Sequence, residues 1–435
     1  MKIFRVCPKP SHLDRYRRKT NLSTKSFYDQ SATLRAENFL LPGGWSEAMS
    51  NLGYEVFETL YDDQFLNARW LLENNKERLL RGDDWLADTL EEQLKAFEPD
   101  IIFIYAGAFN LVTRPMRERL RKILDKKVLI TGFWGDELPA NNTYLNYFGD
   151  IDFIFTSSSE YTKYFESSDI QAFTNGNAFD PSIEFRPKQT GLSDVTFTGT
   201  TGYGYPDHIK RYEHLKELLQ KSDIKILSNE PNFPFELKWR GLVLFVRILV
   251  RLPVNLLYLL RRIPKPTIKR VIDWAILSKT MLLEPEYLVV PHEHRFGSYF
   301  FDKKPLKKIF PGRVSQLLES GKDYMSLLAN SKIILNFHRD EYADIGNIRC
   351  FEATGVGACL LTDHGEQLSE FFDIKNEIVT FNTVDECLSK IDYLLKNPME
   401  REMIALNGQK KTLQNFTVQK RCEHIDRILR CKLLK

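Results

Sequence analysis

The chain has 435 residues, 43% of them hydrophobic, and a formal net charge of +3. That length allows two domains plus an insertion. The apolar content excludes a disordered chain, and the small net charge excludes the broad basic field of a nucleic-acid binder. The six cysteines (Cys7, Cys350, Cys359, Cys387, Cys422 and Cys431) form no C-x-x-C pair and read as reduced, buried thiols of a cytosolic protein. No apolar core of a secretion signal opens the sequence. No stretch reaches the roughly 18 uncharged apolar residues of a membrane span.

Short apolar runs alternate with helical patterns through the first half. Strands are predicted at 1–7, 54–57, 100–105, 127–130 and 152–155, and helices at 45–52, 85–97, 114–124 and 159–165. Such alternation builds a parallel sheet with helices on both faces. Ligands gather at the carboxyl ends of its strands, so the loops after Cys7, Tyr105, Ile130 and Phe155 are the ones to watch. His12 falls in the long loop after the first strand, and Asp136 and Glu137 follow the fourth.

Residues 175–187 punctuate the chain. Asn175-Gly176 favours a turn, and Pro181 and Pro187 forbid a continuing helix. The domain boundary is placed near Gly191. A second alternating unit starts with a strand at 194–198, then Gly199, Gly202 and Gly204, a helix at 207–219 carrying Arg211, and a strand at 224–227. A strand ending in a glycine-rich turn before a helix is a ready anion site. The spacing is not G-x-G-x-x-G, so a dinucleotide fold is not indicated.

The distance from Leu227 to Pro311 is far longer than a connecting loop. Within it, Lys238 to Arg270 holds nine basic residues and no acidic one. Arg240, Arg247 and Arg251 share a helical face, with Leu242, Phe245 and Ile248 filling much of the rest, and Pro253 divides the segment. The pattern is that of a basic amphipathic helix on an anionic membrane. A hairpin packed on the second domain, or a dimer contact, is the alternative.

After Pro311-Gly312 the alternation resumes. Helices are predicted at 314–318 and 324–329, and a strand at 331–339 with a polar tip of Asn336, His338 and Arg339. His338 reads equally as a phosphate or sugar contact and as a hydrogen-bonded structural residue. From Asn347 to Asp363 come a short helix, a glycine turn and a buried strand. Arg349 and Glu352, three apart, share a helix face; Gly355 and Gly357 permit close approach or a sharp turn. A guanidinium can meet a diphosphate, and a carboxylate can accept from ribose hydroxyls. A strand at 378–381, a helix at 384–395 and one helical region at 398–429 complete the chain.

The segment Arg349-Cys-Phe351-Glu352…Gly355-Val-Gly357 resembles the C-terminal domain of GT-B glycosyltransferases, especially the bacterial group related to spore-maturation glycosyltransferases. The pair Asp344 and Glu352, eight apart, corresponds to two acidic residues of the wider family, with Asp344 standing where Glu is usual. Asn175-Gly176…Asp180…Phe185-x-Pro187, Phe197-x-Gly199 with Arg211, and Pro398-x-Glu400-Arg401…Gly408 carry the resemblance over roughly 100–230 and 310–430.

The resemblance implies an α/β protein of two Rossmann-like domains facing a cleft. These are 1–190 on the acceptor side and 191–435 on the nucleotide-sugar side, with the insertion at 234–295 and the last helix returning to the first domain. It implies sugar transfer to an acceptor hydroxyl in surface or lipid-linked glycan synthesis, and the basic segment 238–270 would place the enzyme at the inner face of the plasma membrane. Glu352 would hold the ribose, and Arg349 or Arg339 the diphosphate. Gly199, Arg211, His338, Asp344, Asn347 and Gly355 would complete the donor site. No metal or other cofactor is implied, and the sequence shows no His/Cys ligand cluster. An inverting transfer would need a base, for which Asp136, Glu137 and His12 are candidates. A non-catalytic glycan-binding or partner protein of the same fold, and an epimerase, are the rival readings.

Overall fold

Runs such as Ile101-Ile-Phe-Ile-Tyr105 and Cys359-Leu-Leu-Thr-Asp363 lack the polar alternation of a half-exposed strand and form interior parallel strands. The computed structural model describes all residues except 11, 41, 83, 125–126, 136–147, 186–192, 204–207, 229, 231–302, 317–320, 339–345 and 434–435. Strands β1 (Lys2–Cys7), β2 (Glu55–Leu60), β3 (Ile101–Tyr105), β4 (Leu129–Trp134), β5 (Ile154–Thr156) and β6 (Ala172–Thr174) form one sheet, ordered β2-β1-β3-β4-β5-β6. Strands β7 (Ser193–Thr198), β8 (Lys225–Leu227), β9 (Val314–Ser315), β10 (Ser331–Asn336), β11 (Cys359–Asp363) and β12 (Val379–Phe381) form the other, ordered β12-β11-β10-β7-β8-β9. All the pairings are parallel. Strand order reverses between β1 and β3 and between β7 and β10. Those switch points open crevices where such sheets bind ligands.

Three expectations are corrected. Residues 314–315, predicted as helical, are the edge strand β9. The turn at Gly312, with φ +82°, sends the chain back along β8, where Val314 pairs with Ile226. The stretch after β1, predicted as loop, contains helices Leu13–Lys19 and Phe27–Ala36. Leu13, Phe27 and Leu34 share an apolar cluster with Leu66 and Trp70, and a buried polar group sits within it: Arg17 bonds Asp63 and reaches Gln30 at 2.9 Å. The predicted single helix at 398–429 is two, Pro398–Asn415 and Val418–Leu433. The break is held by a bridge to the interdomain segment: Phe179 N–H donates to Phe416 O at 2.8 Å, and Val418 N–H to Phe179 O at 2.9 Å.

That break turns the last helix onto the first domain. Val418, Cys422, Ile425 and Leu429 share a core with Ile3, Trp45, Met49 and Phe103. The Tyr54 hydroxyl donates to Asp426 at 2.8 Å. The chain therefore crosses between the domains twice, side by side. Further contacts span the interface, among them Gly321 N–H to Glu37 O at 3.0 Å and Asn177 Nδ2 to Gly346 O at 3.1 Å.

The segment after β8 leaves and returns at one place. Buried Glu230 accepts from Thr201 Oγ1 at 2.7 Å and from the backbone N–H groups of Leu306 and Lys307, each at 2.9 Å. The predicted insertion at 234–295 lies outside the described residues. Among the described residues, no helix is long and apolar enough to cross a membrane.

Candidate functional site

At the β7–β10 switch point, β7 runs into Gly199 at φ +138° and Gly202 at φ +86°. A side chain at Gly202 would collide with the His208 carbonyl, so the loop is folded tightly against the start of helix Ile209–Lys221. Arg211, on that helix, spans the crevice. Its Nη1 reaches Thr200 Oγ1 at 2.9 Å, and its Nη2 reaches Phe337 O at 2.9 Å and His338 O at 3.1 Å. Arg211 thus ties the two lips of the crevice together, a positioning task rather than an open phosphate contact.

His338 is buried, with Nδ1 at 2.7 Å from Asp363 Oδ1, while the N–H of Gly346 points at Nε2 from 3.2 Å. Burial disfavours the imidazolium, but the hydrogen bond and charge of Asp363 outweigh it and move the His338 pKa upward. The Gly346 N–H pulls the other way. Both ring nitrogens are engaged by protein, so of the two readings left open for His338 the geometry fits the structural one. The residue fixes the approach to the next helix. Asn347 continues this: its Nδ2 reaches Asn336 Oδ1 at 3.3 Å and Phe337 O at 3.2 Å. It makes no side-chain cap on helix Ile348–Gly355, whose N-terminal dipole suits a negative charge.

Glu352 is buried on that helix. Arg349 bonds its Oε2, and the Tyr324 hydroxyl donates to the same oxygen at 3.0 Å. The Arg349 guanidinium lies 4.9 Å from the centre of the Tyr324 ring, and its Nε is buried with no hydrogen-bond partner among the described residues. Burial raises the Glu352 pKa, and Arg349 opposes the rise. A carboxylate held this way keeps Oε1 for hydroxyl donors. Gly355 is placed differently from its expected role: a Cβ there would collide with the ring of Phe179. As the last residue of the helix, its N–H is turned back into the helical ladder and away from any phosphate.

Glu352 opens onto a cleft between the domains. The opposite wall is aromatic: Trp45, Tyr105 and Phe133, the last two stacked with centroids 5.5 Å apart. Beneath it, Arg5 is fully buried, 2.5 Å from Glu58 and 4.7 Å from the Trp45 ring centre. Arg421, Asn175 and Asp180 complete the polar lining. Asp180 is spent on structure, accepting from Gly44 N–H at 2.6 Å and from Ser182. His12 stands before helix Leu13–Lys19 with its ring 5.1 Å from that of Phe39, and is not part of the cavity lining. Asp136, Glu137, Arg339 and Asp344 lie outside the described residues. Sequence reasoning missed Tyr324, Arg421 and the aromatic wall, none of which has a local spacing signal. Among the described residues, no cluster of three or more His, Cys, Asp or Glu side chains could hold a metal.

Residues 307–427 match the family model described as "Glycosyl transferase-like". That segment carries the glycosyl transferase-like pattern, within a chain that has the GT-B fold. Among solved structures, HepE of Anabaena in complex with UDP-glucose is similar over 99% of this chain and 100% of its own (TM-score 0.53, 11% identity). Sucrose-phosphate synthase of Thermosynechococcus elongatus is similar over 100% and 99% (TM-score 0.52, 10% identity). At such identities the likeness establishes the two-domain GT-B architecture. No curated protein shows significant sequence similarity to the chain. Within the GT-B frame, the matched segment contains His338, Asn347, Arg349, Glu352 and Gly355, while the aromatic wall belongs to the other domain.

Proposed function

We propose that the protein is a glycosyltransferase that moves a sugar from a nucleotide-sugar donor to an acceptor hydroxyl, in the synthesis of a surface or lipid-linked glycan. The observation that carries this reading is Glu352: a buried carboxylate facing the interdomain cavity, oriented by Arg349 and Tyr324 inside the glycosyl transferase-like segment. Its free oxygen suits the ribose hydroxyls. The helix start at Ile348 and the crevice beside Gly199 suit the diphosphate, whose negative charge grows as the sugar leaves. The acceptor enters against the aromatic wall. For an inverting transfer Asp136, just beyond β4 in sequence, is the proposed base. The basic segment 238–270 is proposed to meet anionic lipid at the inner membrane face, where a lipid-linked acceptor would lie.

Thermal stabilisation by UDP, GDP and ADP, on wild type and Glu352→Gln, tests the reading. UDP comes first because HepE is described with UDP-glucose. A selective shift that the variant loses supports the transferase. Cooperative melting with no shift for any nucleotide sinks it and favours a glycan-binding protein of the same fold.

A further inference from the structure

Among the described residues, the fully buried arginines carry a counter-charge or several acceptors. Arg5 has Glu58, Arg17 has Asp63, Arg117 has Asp150, and Arg211 has main-chain oxygens and Thr200. Arg421 does not. It rises from helix Val418–Leu433 into the interdomain cavity, on the side of the first domain. Its Nε donates to Asn177 O at 3.1 Å, and the guanidinium lies 5.3 Å from the centre of the Phe416 ring. A Cβ on Gly176 would stand 2.8 Å from Nη2, so the fork lies flat against bare backbone. Burial alone lowers its pKa to about 10, which leaves it charged at neutral pH, and no carboxylate among the described residues acts on it.

The other charged groups of the cavity lining are already engaged, Asp180 by Gly44 and Ser182, and Glu352 by Arg349 and Tyr324. A half-buried cation whose terminal nitrogens meet no acceptor among the described residues is open to an anion, and a guanidinium fork matches a carboxylate or a phosphate bidentately. Beside it stand the apolar faces of Trp45, Tyr105 and Phe133, suited to the C–H face of a pyranose ring.

We propose that Arg421 is the anion receptor on the acceptor side of the cleft, and that the acceptor is a sugar bearing a phosphate or carboxylate. The proposal rests on the glycosyltransferase reading. Its test is a calorimetric titration of the full chain, with and without saturating UDP, using glucose 6-phosphate, glucuronate, glucose and inorganic phosphate. In wild type both anionic sugars bind about tenfold or more tighter than glucose, and glucose 6-phosphate binds tighter than inorganic phosphate. Arg421→Gln abolishes that preference while the UDP affinity stays within about twofold. Arg421→Lys, which keeps the charge and the stem, retains part of the preference and guards against a folding artefact.

The proposal is overturned if wild type binds charged and neutral sugars alike or binds neither anionic sugar. It also falls if Arg421→Gln keeps the preference, or if inorganic phosphate matches glucose 6-phosphate. A parallel loss of UDP affinity in that variant assigns the cation to the donor diphosphate and equally overturns it. Failure of wild type to bind any nucleotide sinks the transferase reading instead, and the titration without UDP then still decides whether Arg421 selects anionic sugars.

Discussion

At the β1–β3 switch point the crevice is filled by the chain's own side chains, whereas at the β7–β10 switch point it is bounded largely by backbone. The first holds the buried Arg5–Glu58 pair under Trp45 and Tyr105. The second holds Gly199, Gly202 and the carbonyls of Phe337 and His338, drawn together by Arg211. One parallel topology thus yields two surfaces. The aromatic floor suits the face of a sugar ring, and the crevice rich in backbone amides suits phosphate. On the proposed reading, the division of labour between acceptor and donor would follow from which residues fill the switch point, not from the strand order.

The sharpest way to break this contrast is Glu352→Gln on the donor side. Two charge-assisted bonds to ribose hydroxyls would be weakened, so UDP affinity is expected to fall about a hundredfold, or ~3 kcal/mol. Isothermal titration reads this, and an unchanged affinity would move the ribose elsewhere. Gly355→Ala separates packing from phosphate binding. The new methyl meets Phe179, and a stability loss of about 2 kcal/mol is expected in urea. Nucleotide affinity of the folded protein should stay the same; a selective loss of affinity would return Gly355 to the donor site.

Asp363→Asn probes the frame beneath the donor crevice. Burial pushes the Asp363 carboxyl pKa up, but the bonds and charge of His338 outweigh burial and hold it below the ordinary carboxylate value. A depressed folded pKa contributes stability above the unfolded value. The wild-type advantage, about 1.5 kcal/mol, should therefore be complete between about pH 4 and pH 6.5, vanish as the pH falls through the lower folded Asp363 value, and decline as it rises through the raised His338 value. Urea midpoints across that range check it, and a gap independent of pH would refute the ion pair. The mildest change is Tyr324→Phe, which frees Glu352 from one of its two anchors. The donor KM should rise about fivefold, or ~1 kcal/mol, with kcat little altered. A fall in kcat alone would give Tyr324 a different task.

Much of the framework was legible because it is encoded locally. Ile101–Tyr105 and Cys359–Asp363 are buried on both faces, so their apolar runs announce interior strands. Trp85–Phe97 shows its apolar face at helical spacing. The helices after β1 were illegible because Phe27–Ala36 buries Gln30 and Ser31 between Phe27 and Leu34, and the polar knot around Arg17 interrupts the apolar stripe. β9 is two residues long and exists through pairing with β8, so no window of sequence displays it. Within the site, Arg349 and Glu352 could be paired from their spacing alone. Tyr324 is 28 residues from Glu352, and Arg421 reaches the cavity only because the last helix crosses back to the first domain. Tertiary packing creates both placements.

Glu230 fastens the departing strand and the returning backbone at one point, so the two ends of the chain between them are fixed by the domain itself. The entropy of closing such a loop grows only about 0.6 kcal/mol for each doubling of length. Changes in the length of the chain between these ends therefore carry little thermodynamic cost to the domain, while the same clamp, through Thr201, keeps the glycine loop in register.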